Sequence, residues 1–146
     1  DGVAVSGKID RVDVDPMSAR GVVVDYKSGA APSARQIHDE ARVQVPLYML
    51  VVRDQLGLEP VGGLYMPIGG GRRARGIVLA GEDAVPGYAR DDYLDAEQFT
   101  GEIEYARSTA VDLAGRIRAG DIRHDPRGGD CPSWCDLWRI CRKERP

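Results

Sequence analysis

The sequence predicts an α/β domain in which a central β-sheet is flanked by helices and followed by a cysteine-rich, metal-binding segment. Three observations predict it: short runs of β-formers within residues 3–79, helical patterns over 34–56 and 99–117, and three cysteines crowded into residues 131–141. A chain of 146 residues suits one hydrophobic core. Residues 1–123 are expected to form that core, with 124–146 as the cysteine segment of the same domain.

Val3, Val5, Ile9, Val12 and Val14 make residues 3–14 an extended segment, closed by Asp15-Pro16 and the turn residues Ser18 to Gly21. Val22-Val23-Val24-Asp25-Tyr26-Lys27 predicts a second strand, ended by Ser28-Gly29, whose near-continuous apolar start points to burial on both faces. The two strands are expected to pair antiparallel. Ile37, Ala41, Tyr48, Val51 and Val52 then recur at helical spacings between Ala34 and Leu56, with Gly57 at the C-cap position. Pro46 lies inside this stretch and predicts either a kink or the true start of the helix. Residues 61–68 and 74–79 read as a hairpin around Gly69-Gly70-Gly71, and 81–93 as a loop. Phe99, Ile103, Ala106, Ala110, Leu113 and Ile117 form one continuous apolar stripe, so a long final helix is predicted, ending near Gly120.

Composition narrows the class of protein. Hydrophobic residues make up 42% and charged residues 29%, and no apolar run approaches the ~20 residues that span a bilayer. The opening Asp1-Gly-Val-Ala-Val has neither an initiator Met nor the layout of a signal peptide, so the chain reads as a piece of a longer one. An odd number of clustered cysteines, Cys131, Cys135 and Cys141, suits metal ligation in a reducing, cytoplasmic compartment better than a disulfide framework. The net charge of -3 supplies no electrostatic argument for nucleic acid.

The residues able to do chemistry are Asp10 on the first strand, Asp25 and Lys27 on the second, and Gln44 and Tyr48 in the helical stretch. Side chains two apart on a strand share a face, so Asp25 and Lys27 project together, and Asp10 can add a second carboxylate from the neighbouring strand. Hard ions such as Mg²⁺ or Mn²⁺ take oxygen ligands and keep several waters, and an adjacent ammonium can orient such a water and offset phosphate charge. Gln44 and Tyr48 stand four apart on one helical face, where an amide and a phenol can orient the lysine. Asp-x-Lys by itself is more often a surface ion pair than a metal site. Its weight here comes from the company it keeps.

That company, Gly7-Lys8-Ile9-Asp10-Arg11-Val12-Asp13, then Val23-Val24-Asp25-Tyr26-Lys27-Ser28-Gly29, then Gln44-Val45-Pro46-Leu47-Tyr48, resembles the core of RecB-type PD-(D/E)xK nucleases. The family includes nuclease domains of bacterial recombination helicases and related nucleases of CRISPR adaptation. The resemblance implies a restriction-endonuclease-like fold with a mixed central sheet. It further implies that Asp10, Asp25 and the Tyr26 carbonyl bind metal, that Lys27 serves catalysis, that Gln44 and Tyr48 form the helix motif, and that Arg11 contacts DNA. It also implies a 4Fe-4S cluster held by Cys131, Cys135 and Cys141, with a fourth cysteine upstream of Asp1. The expected function is exonucleolytic DNA cleavage in repair or recombination, together with a helicase.

Other readings stand beside this one. The cysteines can be buried thiols, although Pro132, Trp134, Trp138, Arg139, Arg142 and Lys143 around them look unlike a core helix. Their spacing leaves the metal open, and zinc held by His124 and the three thiolates competes with iron and sulfur. The whole can also be a nuclease-like DNA-binding or scaffolding module that no longer cuts, or a zinc-binding interaction domain. Gly2 to Lys8 mimics the start of a phosphate loop, but Ile9 stands where Ser or Thr is required. Arg72 and Arg73 read as solvated residues of a hairpin tip, and His38 as a helix-surface residue.

Overall fold

The computed structural model describes residues 2, 4–69, 73–81 and 84–121. Strands β1 (Arg11–Asp15) and β2 (Arg20–Lys27) lead into helices α1 (Ala34–Asp39) and α2 (Gln44–Leu56). Strands β3 (Glu59–Pro67) and β4 (Arg75–Leu79), a 3₁₀ turn (Arg90–Asp92), the short β5 (Tyr93–Leu94) and the long α3 (Ala96–Arg118) complete them. The five strands form one sheet in the order β1-β2-β3-β4-β5. β1 and β2 pair antiparallel, β2 and β3 parallel, β3 and β4 antiparallel, and β4 and β5 parallel. A parallel β2–β3 neighbour requires a crossover, and α1 with α2 supplies it. The result is the mixed sheet flanked by helices that the sequence predicts.

Three boundaries differ from the sequence reading. The first strand begins only at Arg11, because the Tyr26 amide, which a longer ladder would use, donates to the Asp10 carboxylate instead. The stretch 34–56 is two helices: Glu40 caps α1, Ala41 takes a left-handed φ of 40°, and α2 restarts at Gln44. Pro46 therefore sits in the first turn of α2, where backbone N–H groups have no intrahelical acceptor, and no kink results. Within the predicted loop 81–93 the chain forms the 3₁₀ turn and enters β5, both too short to show a period.

Local chemistry explains the other ends. Ser33 and Gln36 exchange hydrogen bonds in a capping box at α1, and Asp95 with Gln98 does the same at α3. Gly57 ends α2 at φ 64°, the left-handed conformation glycine adopts without steric penalty. Gly63 on β3 lets α2 lie close against the sheet, since an added Cβ would run into Met49 Sδ and Val45 Cγ1. Val23, Ile37, Val45, Met49, Val52, Ile77, Phe99 and Ile103 fill the core between sheet and helices.

The stripe on α3 is only partly used among the described residues. Phe99, Ile103 and Ala106 are buried, whereas Leu113 and Ile117 are 44% and 65% exposed. Length accounts for this: 23 residues extend about 34 Å and the 13 of α2 about 20 Å, so α3 outruns the helix it packs against. At the β4–β5 edge of the sheet Asp92 is fully buried. Arg75 donates to both of its carboxylate oxygens at 2.6 and 3.0 Å, and the Ala34 amide at the start of α1 donates at 3.1 Å. No helix among the described residues is long and apolar enough to cross a membrane.

Candidate active site

Strand periodicity places Asp25 and Lys27 on the face of β2 that α2 covers, and the first turn of α2 brings Gln44 above them. Asp25 is 4% exposed, deep for a carboxylate, while the Lys27 side chain is 34% exposed and reaches toward solvent. Gln44 ties the cluster together. Its Nε2 donates to Asp25 Oδ1 at 3.0 Å and lies 3.2 Å from the Tyr48 hydroxyl, and its Oε1 accepts from Lys27 Nζ at 2.9 Å. One amide thus serves both members of the Asp25–Lys27 pair, whose closest approach is 2.7 Å from Nζ to Oδ2.

That ion pair is not a directed hydrogen bond. Asp25 Oδ2 is buried and has no donor aligned with it, so its lone pairs are satisfied only by the nearby charge. Asp10 approaches from the neighbouring strand: the β1–β2 register, continued one residue past Arg11 and Val24, sets Asp10 opposite Asp25. Its Oδ2 accepts from the Tyr26 amide at 3.0 Å, and the residue is exposed. Two carboxylates, one of them with an orphaned buried oxygen, fit a hard divalent ion that keeps most of its ligands as water. Among the described residues no group of three or more His, Cys, Asp or Glu side chains gathers as a metal cage. The donor set suits Mg²⁺ or Mn²⁺ and not a soft metal.

Arg11, which pairs with Val24, projects from the other face of the sheet. It grips Asp13 with two contacts of 2.6 Å and reaches the Tyr26 hydroxyl at 3.3 Å. Those hydrogen bonds, Asp13's first, hold its guanidinium above even the ordinary arginine range. A groove of about 600 Å³ opens beside Gln44 and Tyr48, walled by Gly7 and Ile9 on one side and by Leu47, Val51 and Arg107 on the other.

The structure gathers Asp25, Lys27, Gln44 and Tyr48 into one cluster with Asp10 at its edge, and it does not bring Arg11 to them: paired with Val24, Arg11 lies on the other face of the sheet with Asp13 and Tyr26. Cys131, Cys135, Cys141, His124 and Arg72 lie outside the described residues, while Lys8 and Arg73 are exposed. His38 is exposed, as expected, but not without company: its Nδ1 lies 2.7 Å from Glu102 and its ring 5.2 Å from that of Tyr105, joining α1 to α3.

Sequence reasoning missed Tyr65. This residue pairs with Asp25 across the parallel β2–β3 register, is 2% exposed, and lays its ring 5.3 Å from Lys27 Nζ. Burial pushes its phenol up to about 12. A lone tyrosine amid the apolar run Val61 to Met66 was the available signal.

A mixed sheet that carries the Asp25–Lys27 pair, a helix amide that bridges the pair and a second carboxylate beside it has the charges suited to an anionic substrate and a divalent ion. The chain matches the PD-(D/E)XK nuclease superfamily over residues 1–142 and belongs to it. Members of that superfamily are typically metal-dependent, phosphodiester-hydrolysing nucleases that use divalent ions such as Mg²⁺. No curated protein and no solved structure matches the chain.

Proposed function

We propose that this chain is the catalytic core of a RecB-type, Mg²⁺- or Mn²⁺-dependent deoxyribonuclease, acting as an exonuclease with a helicase in DNA repair or recombination. The observation that carries the reading is the bridged Asp25–Gln44–Lys27 cluster, with Asp25 Oδ2 buried and lacking an aligned donor. Asp10, Asp25 and the Tyr26 carbonyl would hold the ion, which when bound supplies Lewis acidity and a water of lowered pKa. Lys27, steadied by Gln44 Oε1, offers a positive donor to the attacking water and to charge growing on the phosphate. Tyr48 steadies Gln44 in turn. Arg11 meets the DNA backbone by exchanging Asp13 for phosphate. A 4Fe-4S cluster at Cys131, Cys135 and Cys141 completes the proposal, together with a fourth cysteine from elsewhere and a cytoplasmic location; zinc at the same thiolates is its rival.

Labelled single- and double-stranded DNA, incubated with Mg²⁺, Mn²⁺ or EDTA and either the parent chain or Asp25→Ala, tests the core of this reading. Cleavage that needs the ion and falls at least 100-fold in the variant is expected. DNA binding without cleavage by the parent, with or without metal, would instead establish a module that binds and does not cut. The two-carboxylate ligand set among the described residues is the observation that keeps this second reading alive.

A further inference from the structure

We infer that Tyr65 is a positioning residue for the lysine of the site: its ring forms the floor against which the Lys27 ammonium is held. The inference rests on the nuclease reading for its catalytic consequence, but its geometry is independent of it. The ring centroid lies 5.3 Å from Lys27 Nζ, within the range where an ammonium is attracted to the negative face of an aromatic ring. Tyr65 is 2% exposed, so the core fixes its ring, and the Lys27 side chain, 34% exposed, meets that ring at the border with solvent.

The parallel register fixes the arrangement. Asp25 pairs with Tyr65 and Lys27 with Pro67, so the lysine side chain has Asp25 Oδ2 at 2.7 Å, Gln44 Oε1 at 2.9 Å and the Tyr65 face around its terminal nitrogen. An anion, a dipole and a π face surround one flexible ammonium. A lysine carries three rotatable donors on a four-carbon stem, and each of these contacts removes freedom that would otherwise be lost in the transition state.

Helix α2 begins at Gln44, whose amide bridges Asp25 and Lys27, so the ammonium is held between that amide and the Tyr65 ring. The charged and titratable groups that act on the Tyr65 phenol are Asp25, Arg42 and Tyr48.

The role of the ring is tested by comparing Tyr65→Phe with Tyr65→Leu in the full chain. Phe keeps the aromatic face and Leu loses it. In Mg²⁺-dependent DNA cleavage, Leu is expected to lower kcat by roughly 3- to 30-fold with KM for DNA unchanged, and Phe to stay within about twofold. A second readout needs no activity: acetic anhydride labelling of Lys27, measured by mass spectrometry against the exposed Lys8 in the same molecule. Labelling of Lys27 is expected to rise in Leu and not in Phe. Where circular dichroism shows that Leu has lost the native fold, Tyr65→Met replaces it, filling similar space without a π face. Equal labelling and equal kcat for the Phe and the aliphatic variants would overturn the inference. If the parent cuts no DNA, the nuclease reading fails, and the labelling ratio still decides the role of Tyr65.

Discussion

Gln44 commits both amide hydrogens and its carbonyl to Asp25, Tyr48 and Lys27, although the residue is itself exposed. Nothing in the core depends on it, and the orientation of the whole cluster does. Replacement by Ala should therefore lower cleavage by roughly 10- to 100-fold, the range seen when a partner that orients a metal site is removed, while the melting temperature moves little. Steady-state kinetics and a thermal melt on the same preparation check both halves, and a large loss of stability would count against the assignment. At this scale most of the site was legible in the sequence. The strand period of two relates Asp25 to Lys27, and the helical spacing of four relates Gln44 to Tyr48, so local periodicity suffices. Tyr65 escaped because its proximity to Lys27 arises from the pairing of β2 with β3 across two intervening helices. No local pattern encodes that register.

Among the elements, α2 has the most exacting fit. It approaches β3 so closely that Gly63 has no room for a side chain, and Gly76 on β4 is as confined, since a Cβ there would meet the Gly63 carbonyl. Gly63→Ala should cost about 1–3 kcal/mol in urea unfolding, because methyl and helix cannot share the space without a backbone shift. The same shift would carry Gln44 away from Asp25, so activity should fall further than the fraction unfolded explains. Gly57→Ala, in open space but at φ 64°, makes the control: it perturbs the backbone without touching the site. Elements with a full period or a known cap were read correctly, including the β1–β2 pair, the β3–β4 hairpin and α3. The break between α1 and α2 was not, since Ala41 is a good helix former that tertiary packing holds in a left-handed turn. The outer half of the α3 stripe shows the converse: periodicity reports what can be buried, and the length of the neighbouring helix decides how much is.

For the molecule as a whole, the pair of part-exposed Arg75 and buried Asp92 joins β4, the 3₁₀ turn and the start of α1, three places far apart in the chain. Removing the arginine would strand a carboxylate with 0% exposure and leave the Ala34 amide as its direct donor. Arg75→Ala should accordingly destabilise the fold by about 3–5 kcal/mol, measured by denaturant midpoint at constant m. A change below about 1 kcal/mol would mean that water replaces the guanidinium there.

The segment between β4 and the 3₁₀ turn divides the chain unevenly. Asp10, Asp25, Lys27, Gln44, Tyr48 and Tyr65 all precede it, whereas α3, which supplies Phe99 and Ile103 to the core, follows it. Pro86 and Gly87 at its exposed turn are thus a natural seam. Severed there, the larger piece would keep the Asp25–Gln44–Lys27 cluster but lack the helix that closes its core, and the smaller piece would carry that helix and the three cysteines. Neither piece alone should then cut DNA, and cleavage regained on mixing them would report their reunion.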